Sequence, residues 1–178
     1  MKKPFFLIAI TMAAVGSVFA LMHYMRMDSF TFAWALNLSL MFYVLAFIET
    51  SKVQLTSTFH DEKEWERRGK IYELLGINFF RKLLVWIGWE KLTRKSHPIE
   101  KSTAALMNLH LQTKNSELGH LIILVIVLGV TIFVAFKFGV LKSLWLLLLN
   151  VLLNLYPVFL QRYNRPRIQR AIQLSQRR

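Results

Sequence analysis

A chain of 178 residues with 23 Lys and Arg against 10 Asp and Glu carries a formal net charge of +13, yet 54% of it is hydrophobic and it holds 14 Phe and 5 Trp. Its mean hydropathy is +0.38, and charged residues fall to 19%, below the roughly 25% of soluble domains. That apolar content excludes a disordered basic tail, long uncharged runs exclude a soluble nucleic-acid binder, and zero cysteines exclude disulfides and thiolate metal sites. What remains is an all-α integral membrane protein that keeps its charge in loops.

Crossing a bilayer takes about 20 mainly apolar residues, and the chain reads as one membrane domain over 1–178 with four such spans. The first, about 4–22, contains no charge. Lys2 and Lys3, the apolar run and Val18-Phe19-Ala20 have the outline of a secretion signal, but Leu21 and Met22 prolong the run, so a retained helix is expected. The second span, about 30–48, is also uncharged. From Leu118 to Leu160 the formal charges are Lys137 and Lys142, a run long enough for two helices. Phe136-Lys137-Phe138-Gly139 supplies a turn, giving a third span at about 119–136 and a fourth at about 141–160. Helices are expected because lipid offers no partner to an open backbone.

Charge placement predicts the orientation. Residues 50–118 carry 12 basic and 8 acidic side chains, and the tail 161–178 carries six Arg and no acid. The other two connections are poor in charge. The positive-inside rule then puts both termini and the long loop in the cytoplasm.

The loop 50–118 is expected to be structured. Residues 60–75 read as one surface helix with acids in its first turn and Gly76 as its stop. Trp65, Tyr72 and Leu75 fall near one face for packing. Residues 77–89 are apolar, too short to span, and interrupted by Arg81 and Lys82; they read as an amphipathic interfacial or re-entrant segment with Trp86 and Trp89 at headgroup level. Residues 91–98 form a basic turn ended by Pro98, suited to an anionic lipid surface.

Two polar stripes stand out. On a helix entering the third span, His110, Thr113, Glu117 and His120 are spaced 3, 4 and 3, which aligns them on one face. Ionisable groups at a membrane boundary are costly unless paired or functional. A carboxylate one turn from an imidazole can orient it as a general base, so Glu117 and His120 are the candidate catalytic pair, with His110 and Thr113 beside them. The competing reading is an interfacial polar face. No second Glu-x-x-His completes a di-metal set, so no metal is expected. On the fourth span Asn150 and Asn154 are four apart and Gln161 lies seven beyond. Asn150 is expected to bond between helices, and Asn154 and Gln161 to line a polar cleft. In the tail, Arg162, Arg165 and Arg167 can hold a phosphorylated donor such as coenzyme A, with Tyr163 and Asn164 fixing the helix end. Topology and lipid binding account for the same arginines, and nucleic acid is not expected.

Three blocks are similar to the glycosyl-4,4'-diaponeurosporenoate acyltransferase family, small bacterial membrane proteins of late carotenoid synthesis. They are Tyr72-Glu73-Leu74-Leu75-Gly76-Ile77 followed by Phe80-Arg81-Lys82-Leu83; Gln112-Thr113-Lys114-Asn115-Ser116-Glu117-Leu118-Gly119-His120; and Gln161-Arg162-Tyr163-Asn164-Arg165-Pro166-Arg167. The last is the most specific. In the second, Gln112, Asn115 and Ser116 stand where the family pattern has Glu, Arg and Ala. The resemblance implies transfer of an acyl group from an acyl-CoA or acyl carrier protein thioester to a hydroxyl of an amphipathic, lipid-like acceptor such as a glycosylated carotenoid or glycolipid. No bound cofactor is implied, and the partners are membrane lipids. The non-enzymatic alternative is a scaffold or assembly factor of a lipid or pigment pathway.

Overall fold

The computed structural model describes residues 2–52, 55, 57–88 and 102–177, and all regular structure in them is helical. The helices are α1 (Lys2–Tyr24), α2 (Phe30–Ser51), α3 (Lys70–Leu74), α4 (Ile77–Trp86), α5 (Thr103–Phe138), α6 (Leu144–Asn150) and α7 (Tyr156–Gln176). Short 3-10 turns occupy Thr58–His60, Glu64–Gly69 and Val140–Ser143, and a wider π turn, Val151–Leu155, joins α6 to α7. Four helical stretches, Lys3–Tyr24, Phe30–Ser51, Thr103–Phe138 and Val140–Gln176, are long and apolar enough to cross a membrane. At 1.5 Å per residue α5 is about 54 Å long, well beyond a hydrocarbon core of about 30 Å.

The chain divides into two compact units: residues 1–54 with 118–157, and residues 55–117 with 158–178. The first unit holds α1, α2, the later part of α5, α6 and the π turn. Ser29 starts α2 by accepting from the Phe32 N–H at 3.1 Å, and Lys52 ends it in a left-handed conformation. Phe32, Ala33, Leu36 and Leu40 put one face of α2 against Ile123, Val127 and Val134 of α5 and Leu146 and Leu149 of α6, the helical spacing of an inward stripe. Elsewhere the helices expose large apolar side chains, Phe42 and Val125 among them, as a lipid-facing surface does. Asp28 lies 3.2 Å from Arg26 and 3.5 Å from Lys142, so the α1–α2 and α5–α6 turns share one end of this unit. The α5–α6 turn passes through Gly139 at φ 95°.

Inside the apolar packing runs a chain of amides. Asn154 Nδ2 donates to Asn37 Oδ1 at 2.7 Å and to Asn150 Oδ1 at 2.9 Å. Asn150 Nδ2 donates to the Leu124 carbonyl at 3.0 Å, and Asn37 Nδ2 to the Ala33 carbonyl at 2.8 Å. Asn150 thus bonds between helices. Asn154 sits in the π turn, where the loosened backbone ladder carries it inward.

The second unit departs from the sequence-based expectation in two places. Residues 60–75 are not one helix. Arg67 and Arg68 are left-handed (φ 48° and 57°) and break the segment ahead of α3, because the Glu66 side chain turns inward to buried partners, overriding local helix propensity. Glu66 and Tyr72 are buried, while Trp65 and Leu75 are exposed. Gly76 stops α3 at φ 83°. The tail also continues the helix: α7 runs through Pro166 to Gln176, so Tyr163 and Asn164 lie within a helix and do not end one. Helix α4 turns Ile77 and Phe80 inward and leaves Phe79, Val85 and Trp86 exposed. Trp89 and the basic turn 91–98 lie outside the described residues.

Asn154→Leu removes two buried donors and strands two acceptors. It is expected to lower the thermal stability of the detergent-solubilised protein by about 1 kcal/mol, the scale of intramembrane hydrogen bonds, read as a reduced melting temperature. A melt equal to that of the parent would show that the amide chain contributes nothing.

Candidate functional site

The second unit gathers an ion cluster from four separate stretches. Thr113 and Glu117, one turn apart, face inward from α5; Arg162 and Arg165, three apart, face inward from α7. The turns before α3 supply His60 and Glu66. Glu117 is 0% exposed, and such a carboxylate survives burial only when charge and hydrogen bonds replace its water. Arg162 Nε donates to its Oε1 at 2.6 Å. Arg165 Nη2 donates to Oε2, and His60 Nδ1 lies 3.0 Å from the same oxygen. Since this carboxylate only accepts, the His60 Nδ1 carries a hydrogen and donates to it, which orients the ring and leaves Nε2 as its other nitrogen.

The arginines extend the cluster. Arg162 Nη1 donates to Glu66 Oε1 at 2.8 Å and Nη2 to the Phe59 carbonyl at 3.2 Å. Arg165 donates from Nη1 to the His60 carbonyl and from Nε to Thr113 Oγ1 at 3.4 Å. Glu66 also accepts from the Tyr72 hydroxyl and, at 2.9 Å, from the Lys63 N–H. Two carboxylates therefore balance two guanidiniums. Burial alone would raise the pKa of Glu66, but the bonds from Tyr72, Lys63 and Arg162 outweigh it and hold the carboxyl below its ordinary range. Burial, and then the Glu66 charge, push the Tyr72 phenol upward.

The predicted residues divide between the units. Glu117, Thr113, His110, Gln161, Arg162, Tyr163, Asn164, Arg165 and Arg167 belong to the second unit, His120 and Asn154 to the first. Glu117 pairs with His60, and His120 Nδ1 instead faces Asn154 Oδ1 at 3.4 Å. Arg162 and Arg165, expected to hold donor phosphates, face protein carboxylates and carbonyls. Arg167 is partly exposed, 3.3 Å from Glu73, and stacks on the Tyr163 ring at 3.6 Å. Gln161 Nε2 donates to Ser116 Oγ at 3.1 Å. His110 is half-buried, and its Nδ1 has no hydrogen-bond partner among the described residues. Among the described residues no group of His, Asp and Glu is arranged to hold a metal ion. His60 and Glu66 carried no sequence signal: His60 lies 57 residues from Glu117, outside any helical spacing.

Glu117→Gln leaves two buried guanidiniums short of charge and is expected to cost about 3–5 kcal/mol, seen as a large fall in melting temperature. Adding Arg165→Met should cost less than the sum of the single changes, because the two groups are coupled. The pH dependence follows from the lowered Glu66 pKa. Its contribution is complete above the ordinary value of 4.5 and is lost as pH falls through the lower folded value. Glu66→Gln should therefore flatten the acid limb of a melting-temperature titration. An unchanged limb would remove Glu66 from the acid response.

Comparison with known families matches residues 56–174 to CrtO, glycosyl-4,4'-diaponeurosporenoate acyltransferase. No curated protein and no solved structure matches. The matched span takes in every member of the ion cluster and excludes α1 and α2. Of the three departures from the family pattern, Gln112 is exposed, Asn115 is half-buried, and Ser116 is the hydroxyl that receives Gln161; none is part of the Glu117 cluster. With well over half of its length matched, and with its buried Glu, His and Arg side chains inside that match, the chain belongs to the glycosyl-4,4'-diaponeurosporenoate acyltransferase family.

Proposed function

We propose that this protein is a membrane-bound acyltransferase that moves a fatty acyl group from a thioester donor, acyl-CoA or acyl carrier protein, to a hydroxyl of an amphipathic acceptor such as a glycosylated carotenoid or glycolipid. We further propose that the second unit works at the cytoplasmic face. The family name supports the reaction class. The charge pattern supports the orientation, since the long loop and the tail pack in one unit and carry the basic excess.

The observation that carries the mechanism is the buried Glu117–His60 pair. Glu117 fixes the Nδ1–H tautomer and the ring orientation, the role a carboxylate plays in acyl-transfer dyads and triads. His60 Nε2 takes the proton of the acceptor hydroxyl as its oxygen attacks the thioester carbon. The C–S bond breaks, the sulfur leaves with the proton returned from the imidazolium, and an oxygen ester remains. The His60 side chain is nearly covered, so the mechanism requires the Thr58–His60 turn to move and admit the hydroxyl. Opening it means releasing the bonds from Arg162 to the Phe59 carbonyl and from Arg165 to the His60 carbonyl. On this reading Arg162 and Arg165 position Glu117 and keep it ionised.

Membranes containing the protein, given labelled acyl-CoA and a glycolipid panel, should form an acylated product. His60→Ala should reduce it by about 100-fold or more, the scale of general base catalysis, while His120→Ala should retain most of it. Loss in His120→Ala with activity kept in His60→Ala would move the base to the first unit. No dependence on either histidine, with folding intact, would favour the scaffold role.

A further inference from the structure

The turn ahead of α3 carries an unusual backbone. Arg67 and Arg68 are consecutive non-glycine residues in the left-handed region, and Gly69 follows at φ 85°. L side chains adopt that region at a cost, accepted here in bringing Glu66 inward. Arg67 and Arg68 themselves take no part in the ion cluster. Both are exposed, and among the described residues neither guanidinium meets a carboxylate or a carbonyl oxygen.

Their neighbours, by contrast, are firmly fastened. Glu66 is locked into the ion cluster by the Lys63 N–H, the Tyr72 hydroxyl and Arg162. Gly69 lies so close to α7 that an added Cβ would sit 3.2 Å from both the Tyr163 carbonyl oxygen and Arg167 Nη1. Arg167, partly exposed, thus lies beside the same turn, oriented by its stack on Tyr163. The result is a fastened turn, next in the chain to Glu66 of the ion cluster, whose two exposed arginines have no ion-pair partner among the described residues, with Arg167, itself 3.3 Å from Glu73, close to Gly69. Guanidinium groups are suited to phosphate oxygens.

We propose that Arg67 and Arg68, assisted by Arg167, form the phosphate-binding site for a coenzyme A-type donor. They would hold its nucleotide phosphates while the thioester end reaches the Glu117–His60 pair. This rests on the acyl-transfer reading above and adds the donor's anchoring residues, a role the buried Arg162 and Arg165 do not have free groups to fill. An anionic lipid headgroup presents the same phosphate chemistry and is the source to be distinguished.

The test uses the full-length protein in an uncharged detergent, with palmitoyl-CoA and palmitoyl-pantetheine as probes; the second keeps the acyl chain and thioester but lacks the phosphates. R67G/R68G removes both charges and relieves the left-handed backbone. It is expected to weaken palmitoyl-CoA binding by about 10-fold or more, leave palmitoyl-pantetheine binding unchanged, and hold or raise the melting temperature. R67K/R68K, which keeps the charge but not the forked geometry, should fall between the two. Unchanged palmitoyl-CoA binding in R67G/R68G overturns the proposal, as does an equal loss for both probes, which would make the arginines structural. Loss of binding to phosphatidylglycerol vesicles with palmitoyl-CoA binding intact overturns it in favour of the lipid headgroup. Arginine-dependent palmitoyl-CoA binding without any acylated product would leave this site standing and remove the acyl-transfer reading.

Discussion

A carboxylate with no exposure to water needs its charge answered from within the protein, and Glu117 has that answer from three directions. His60, Arg162 and Arg165 each reach one of its oxygens. Once the two guanidiniums are drawn to Glu117, their remaining donors must also be met. They meet Glu66, Thr113 and the carbonyls of Phe59 and His60. Residues 57–69 contain no full α-helix, so much of their backbone depends on such outside partners. The shape of the second unit follows: irregular turns held against two helix segments by arginine side chains, with the left-handed Arg67-Arg68-Gly69 turn as the local cost of bringing Glu66 inward.

The first unit solves a different problem with different chemistry. Its buried polar side chains Asn37, Asn150, Asn154, Thr131 and Ser143 are uncharged, the amides donating to another amide or to a backbone carbonyl and the hydroxyls to backbone carbonyls. Uncharged groups are the cheaper way to place polarity among lipid-facing helices. Helix α5 contributes to both regimes, with Glu117 in one unit and His120 in the other. Two residues a single turn apart therefore have unrelated partners, a carboxylate among arginines and an imidazole beside Asn154. The family match covers the ion cluster in full together with the 118–157 part of the first unit, and leaves out α1 and α2.

Much of this was legible from residue order. The four apolar stretches follow from the need to satisfy backbone groups inside lipid. The inward face of α5 was visible in the 3-4-3 spacing of His110, Thr113, Glu117 and His120, and the importance of the Gln161–Arg167 block in its density of arginine. The role of Asn150 as an interhelical bond was likewise open to inspection. Aligned spacing shows that side chains share a helix face, but it does not say what faces them. Glu117 and His120 are correctly aligned, yet the imidazole on Glu117 comes from a turn 57 residues earlier.

Sequence by itself determined the all-helical membrane class, the turn at Gly139, the concentration of positive charge in the long loop and tail, and the family resemblance. These depend on local composition and on periodicities that survive without knowledge of neighbours. Only the tertiary structure decided that His60 and Glu66 join the ion cluster, that Arg162 and Arg165 are consumed by protein carboxylates, and that residues 60–75 break at two left-handed arginines. The reason is that a buried charge is satisfied by whatever lies closest in space. The groups that satisfy Glu117 come from a loop and a helix on opposite sides of it in the chain, where no local rule connects them.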